Sequence, residues 1–336
     1  MKKTICITPH KLGLGGPASF QSRLELELAG RGYVISHDVF DPANAVVLVN
    51  GGTRHIGKLI QVKRNGVRIV QRLNGMNWVH RVTNTGIKHF FRAEINNRIL
   101  TTIRSMADGI IYQSQFSQDW WKRVRGEVKA PGRVIYNGVN LNEFTPIGSE
   151  KPPTDRVRVL LVEGHLGSGY EQGLDSAARM CQLLGQRLDR KIELMVVGSV
   201  PQALQLQYAN FGVELVYKGV VKRTEIPAID RAAHMLFSSD VNAACPNSVI
   251  EALACGLPVI GYDTGSLPEL ISEGAGSIAP YGANVWKLEK PDMHTLVDAA
   301  QKVITDQEKM RAAARARAVE LFDIRQIADQ YLEVLF

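Results

Sequence analysis

Two stretches of this 336-residue chain carry residue types and spacings suited to a phosphorylated ligand. The first is Gly13-x-Gly15-Gly16-Pro17, which follows the β-branched run TICIT and opens a helical pattern near Ala18. Glycines let the backbone approach an anion closely, and a helix N-terminus offers N–H groups and a partial positive charge. Read literally, Gly13-x-Gly15-x-x-Ala18 also fits a loose dinucleotide fingerprint, with Asp38 near the distance for a ribose contact. A plain strand-to-helix turn explains the same residues. The second stretch runs from Cys245 to Ile260: Pro246 and Asn247 open a helix, Gly256 closes it, and Pro258 leads into a buried strand. Glu251 then falls about one turn into the helix, where its carboxylate can accept two hydrogen bonds from a ribose diol. The N–H groups of Asn247, Ser248 and Val249 would face phosphate oxygens. The alternative is a capped helix with a solvated Glu.

These motifs need elements to hold them, and the pattern supplies two series. Short β-branched runs alternate with helical stretches from TICIT through GIIY, pause at IGSEKPPTD (147–155), and resume from RVRVLLVEG to PVIGYD. Such alternation specifies parallel sheets with crossover helices, and the uniformly apolar VRVLLV and IELMVV suit central strands covered on both faces. The expected domains are 1–150, 151–315 and a C-terminal helix, 316–336, packing back on the first domain. The stretch 308–336 reads as one continuous helix.

Composition bounds the class. Apolar residues make up 45% and charged residues 22%, as in a soluble globular protein. No apolar run approaches the roughly 18 residues of a membrane span, and MKKTICITPH turns strand-like before a signal-peptide core could form. The expectation is a cytoplasmic protein. Cys6, Cys181, Cys245 and Cys255 form no CxxC pair or metal cluster and read as small core or site-lining residues. Residues 1–150 hold 21 Lys+Arg against 10 Asp+Glu, and the remainder 19 against 23. The basic residues concentrate between Arg54 and Arg104, suiting an anionic acceptor, peripheral contact with an anionic inner membrane face, or simple solvation. No nucleic-acid reading module accompanies them.

The Cys245–Ile260 segment resembles the donor-site signature of the family-four retaining glycosyltransferases, and further landmarks follow in family order. Gly15-Gly16 resembles the N-terminal glycine loop. Asp108–Ser114 and Val134–Pro146 resemble the domain-closing segments. Leu160-Leu-Val-Glu-Gly164-His165 resembles the first strand and loop of the donor domain, and Thr264–Glu269 follows the signature helix. The resemblance implies a GT-B α/β fold: two Rossmann-like, doubly wound parallel-sheet domains facing a central cleft. It implies a UDP- or GDP-linked sugar as donor substrate, with no cofactor and no metal, and a glycan or lipid-linked acceptor. Donor binding falls to Gly15, Gly16, Gly164, Pro246, Asn247, Ser248, Val249 and Glu251, and cell-surface polysaccharide or glycolipid synthesis is the implied setting.

The chain departs from that family at several positions. The first signature acid, eight residues before Glu251, is Ala243, with Asp240 three residues away. The diphosphate-binding Arg aligns with His165, and its Lys partner falls near Tyr170 or Glu171. The usual His after the strand Arg68–Leu73 is replaced by Asn74, leaving Asn74 and His165 in the catalytic positions, with Arg72 and His80 as acceptor contacts. A non-catalytic relative that binds a nucleotide sugar or partner enzyme therefore stays open beside an active transferase. A dinucleotide-dependent oxidoreductase would leave the sharper, second motif unexplained.

Overall fold

The structure is a computed structural model describing residues 3–10, 15–167, 171–272 and 274–336. Gly13 and Tyr170 lie outside the described residues. Contacts divide the chain into two compact units, Met1–Gly138 with Asp323–Phe336, and Val139–Phe322.

The first unit contains β1 (Thr4–Thr8), α1 (Gly16–Gly30), β2 (Val34–Ser36), β3 (Asn44–Asn50), α2 (Ile56–Arg64), β4 (Arg68–Leu73), α3 (Ile87–Met106), β5 (Gly109–Tyr112), α4 (Gln115–Arg125) and β6 (Gly132–Val134). The second contains β7 (Val157–His165), α5 (Gln172–Leu188), β8 (Ile192–Ser199), α6 (Gln202–Gln207), β9 (Glu214–Gly219), α7 (Ile226–Arg231), β10 (Met235–Phe237), α8 (Asn247–Ala254), β11 (Val259–Tyr262), α9 (Leu267–Leu270), β12 (Gly276–Ala279), α10 (Met293–Thr305) and α11 (Gln307–Leu321). The chain then returns to the first unit as α12 (Ile324–Leu335).

Each unit holds a six-stranded parallel sheet, ordered β2-β1-β3-β4-β5-β6 and β12-β11-β10-β7-β8-β9. Strand order reverses between β1 and β3 in the first unit and between β7 and β10 in the second. Ligands of open α/β sheets bind beyond the carboxyl ends of the strands at such reversals. Strand β8 is buried along all but its last residue, as its continuous apolar sequence requires for a sheet covered on both faces.

The segment after 308 is two helices instead of one. Asp323 caps a new helix, its carboxylate accepting from Arg325 N at 3.0 Å. Helix α11 stays with the second unit, whereas α12 buries Ile327, Tyr331 and Leu335 with Phe20, Leu24 and Leu28 of α1 in the first. Each such burial contributes on the order of 2 kcal/mol. Gly138 allows this docking, because a Cβ there would lie 2.9 Å from the Ile324 Cα. The patterning also gave no element to residues 115–134, which form α4, capped by Ser114, and the short edge strand β6.

Candidate active site

At the reversal point of the second sheet, β7 carries an irregularity between Val162 and His165 that contains Glu163 and Gly164. Bulges of this kind re-aim side chains. Opposite it, Gly198 adopts φ +130°, and a Cβ there would collide with the Glu163 carbonyl oxygen, so only glycine admits this crossing. The Glu163 carboxylate accepts a 2.6 Å hydrogen bond from the Ser239 hydroxyl, just past β10. Gly173, in the first turn of α5, makes room for Ser239: a Cβ there would stand 2.8 Å from the Ser239 Cβ. Glu163 is half-buried and Asp240 exposed, yet both titrate high. Desolvation, then the neighbouring Asp240 charge, pushes Glu163 up to about 7 against the Ser239 hydrogen bond. Asp240 is pushed up to about 6 by desolvation, although its outer edge meets solvent. Two carboxyl groups so placed hold a proton near neutral pH and can both donate to and accept from hydroxyls. The sequence reading did not single out Glu163, and it weighed Asp240 only as a distant substitute for the acid missing at Ala243.

Gly164 and His165 complete the end of β7, both exposed. A Cβ on Gly167 would come within 2.9 Å of His165 Nε2, so this glycine leaves space for the imidazole. Past β10, the segment through Asn242 and Ala243 is clamped: Ser266 N donates to the Ala243 carbonyl at 2.9 Å, and Gly265, at φ +61°, could not carry a Cβ beside Ala243.

Helix α8 follows with Pro246 at its N-cap, a residue with no capping side chain, so no N-cap side chain shields the first-turn amides of Asn247, Ser248 and Val249. Its far end is well fastened. Arg315 of α11 donates to the Ala254 carbonyl at 2.7 Å and Arg311 donates to the Gly256 carbonyl at 3.2 Å, satisfying helix-terminal acceptors with cations. Glu251 is 8% exposed and close enough to the buried Asp230 to influence its titration. Burial, reinforced by Glu251, holds Asp230 well above the usual carboxylate range while the Cys255 thiol hydrogen-bonds to it. Cys255 reads as a small buried residue of the signature segment, whereas Asp230 gives no signal in the sequence.

In the first unit, Gly15 is the N-cap of α1, and its carbonyl accepts from Ala18 N and Ser19 N, both at 3.0 Å. Among the described residues, a Cβ on Gly15 would meet nothing within 4 Å. Gly16 is the first residue of the helix. Arg72 is 1% exposed and acts as a bracket across the strand ends. Its guanidinium donates to Asn50 Oδ1 at 3.0 Å, Asn74 Oδ1 at 2.9 Å, Gln113 Oε1 at 2.9 Å and Asn137 Oδ1 at 2.5 Å, and it stacks 4.3 Å over Phe20. Asn74 is thus held by its side chain, and its carbonyl accepts from Trp121 Nε1 at 2.8 Å. His80 is buried, with Nε2 at 2.8 Å from Glu94. Arg81, the stronger influence, and then His80 hold Glu94 down at about 2. Asn97 fixes the intervening Asn77 through three hydrogen bonds. Arg72 and His80 therefore brace the 74–81 loop from inside. A cavity of about 380 Å³ beside that loop is lined by Thr53, Arg54, Asn77, His89, Arg92 and Asn96.

The family described as Glycosyl transferases group 1 matches residues 152–320, half of the chain. Among characterised proteins, the 2-deoxystreptamine N-acetyl-D-glucosaminyltransferase of Streptomyces fradiae is 27% identical over 130 residues, 38% of this chain and 29% of that protein. The D-inositol 3-phosphate glycosyltransferase of Streptomyces bingchenggensis is 27% identical over 196 residues, 53% and 43% of the two chains. The matched stretches thus span less than half of these relatives' length. Among solved structures, sucrose-phosphate synthase from Thermosynechococcus elongatus superposes with a TM-score of 0.76 at 16% identity, covering 99% of this chain and 98% of its own. Anabaena HepE, in complex with UDP-glucose, superposes with a TM-score of 0.69 at 17% identity and 99% coverage of both. These likenesses establish the fold, two parallel-sheet units of the GT-B type.

Proposed function

We propose that this chain, which belongs to the glycosyl transferases group 1 family, moves a sugar from a UDP- or GDP-linked donor to an acceptor hydroxyl with retention at the anomeric carbon and without a metal in the transfer step. The observation that carries this reading is α8: a helix with no N-cap side chain, pinned at its C-terminal end, with Glu251 one turn in. Its first-turn amides suit the diphosphate, and the Glu251 carboxylate suits the ribose diol. HepE, of the same fold, carries UDP-glucose. In the transfer step the bond from the anomeric carbon to the diphosphate breaks, the acceptor oxygen bonds on the same face, and its proton passes to the departing diphosphate oxygen. Helix-terminal amides, together with His165 at the end of β7, offset the charge developing on that oxygen. Asn74 hydrogen-bonds a sugar hydroxyl and is no base. Glu163 and Asp240 take the hydroxyl-binding role left open by Ala243.

Titration of the protein with UDP, GDP, ADP and NAD, with and without magnesium, tests the reading. The expected result is metal-independent binding of one nucleoside diphosphate. Binding of NAD alone overturns it, and binding of no nucleotide favours a partner-binding relative of the transferases. The carboxyl pair adds a pH sign: it is neutral well below about pH 6, carries one charge between about 6 and about 7, and two well above about 7. Affinity for the anionic donor therefore falls between pH 6 and 8, and Glu163→Gln flattens that fall.

The acceptor binds to the first unit, held against an anionic membrane. Helix α3 supports this with a stripe of apolar residues that faces water, Ile87 at 78%, Phe91 at 61% and Ile95 at 51% exposure. Such a stripe is unusual unless something covers it. Lys88 and Arg92 are exposed beside it, and Glu94, the one acid between Arg81 and Arg104, is already paired. Co-sedimentation with phosphatidylglycerol vesicles, but not phosphatidylcholine vesicles, is expected and is lost in Phe91→Glu/Ile95→Glu. Equal sedimentation of that variant rules the surface out.

A further inference from the structure

We infer that His10, Glu25 and His37 form a binding site for one divalent transition-metal ion of the zinc class in the first unit. One ligand atom from each of the three side chains lies within 4.8 Å of the others. Two imidazoles and a carboxylate match a three-ligand zinc site that leaves a fourth position for water. Zinc at about 2.0–2.2 Å from each ligand sets tetrahedral ligand atoms about 3.3 Å apart, so on taking up the ion the three side chains draw closer and the stacked rings tilt until their in-plane lone pairs converge.

The surroundings resemble the outer shell of a metal site. The His10 and His37 rings stack with centroids 3.8 Å apart and planes 7° from parallel, which brings two basic nitrogens to one spot. His37 Nδ1 lies 3.0 Å from the Ile7 carbonyl oxygen and 3.8 Å from Glu25 Oε1; donation to the carbonyl places the proton of the neutral imidazole on Nδ1, so the nitrogen left to bind an ion is Nε2. Glu25 is oriented through a buried relay: Arg72 donates to Asn50 at 3.0 Å, Asn50 to Gln21 at 2.9 Å, and Gln21 to Glu25 at 2.7 Å. Because Gln21 Oε1 is taken by Asn50, its amide N–H must point to Glu25. Hydrogen-bonded carboxylates and carbonyl-bound imidazoles are the usual second layer around a metal. The cysteines, the main rivals for zinc, are all buried. The three ligands come from the chain past β1, from α1 and from the chain past β2, so an ion here ties together the carboxyl ends of two adjacent strands and the helix over them.

The test is a zinc titration of tag-free, chelator-treated protein by calorimetry, with thermal unfolding in parallel and magnesium as comparison. One zinc per chain, a raised Tm, and no magnesium response are expected. His10→Ala/His37→Ala, which leaves one of the three ligands, should abolish saturable binding, beyond the roughly 10–100-fold that loss of an outer-layer partner costs. Glu25→Gln should weaken it less, and His294→Ala, at an exposed histidine elsewhere, should leave it unchanged. Absence of saturable zinc uptake by the wild-type protein overturns the inference, and so does uptake undiminished in both the double variant and Glu25→Gln.

Discussion

Glu251→Ala is expected to weaken binding of the preferred nucleoside diphosphate by on the order of 100-fold, while the protein unfolds within a few degrees of wild type. A carboxylate accepting two hydrogen bonds from a ribose diol contributes about 2–3 kcal/mol, since bonds to a charged acceptor exceed neutral ones. The cost to the fold is small because Glu251 is a like-charge neighbour of the buried Asp230, and its removal lowers the penalty on that acid. Glu251→Gln keeps the shape and one acceptor oxygen, so it should fall between the two. An unchanged Kd for the diphosphate in Glu251→Ala would show that α8 does not hold the ribose, and the proposed donor site would fall with it.

Gly198→Ala is expected to destabilise the second unit by about 4 kcal/mol or more, lowering its Tm by on the order of 10 °C. Two costs add: alanine disfavours φ +130°, and its Cβ would strike the backbone carbonyl of Glu163, which cannot turn aside as a flexible side chain could. Any escape must reshape the irregularity in β7, so whatever folded protein remains should also bind nucleotide poorly. Gly164→Ala is the matched control. Among the described residues a Cβ there meets nothing within 4 Å, so the fold should survive and any loss should be confined to ligand binding. Wild-type stability in Gly198→Ala would mean that the β7–β8 crossing is not as described.

Where one segment determines its own conformation, the sequence was readable. VRVLLV and IELMVV announce buried parallel strands, and α8 is framed by Pro246 and Gly256. Features set by distant partners were not readable. Glu163 reads as the end of a strand until Gly198, Gly173 and Ser239 are seen to shape its pocket. Arg72 reads as a contact for an acceptor or a phosphate, but four amide oxygens from three other strand ends and its own loop enclose it. His80 is answered by Glu94, on the helix it packs against. The break at Phe322–Asp323 did leave a mark, an Asp before a fresh apolar period, but continuous helical spacing on both sides obscured it.

The return of α12 to the first unit also sets an order on the ribosome. Residues 139–322 form a contiguous unit and have every part they need once synthesis passes Phe322. The first unit, although translated earlier, must wait with the faces of Phe20, Leu24 and Leu28 uncovered until residues 324–335 emerge. The nascent chain therefore holds all the parts of its second unit shortly before it holds all those of its first.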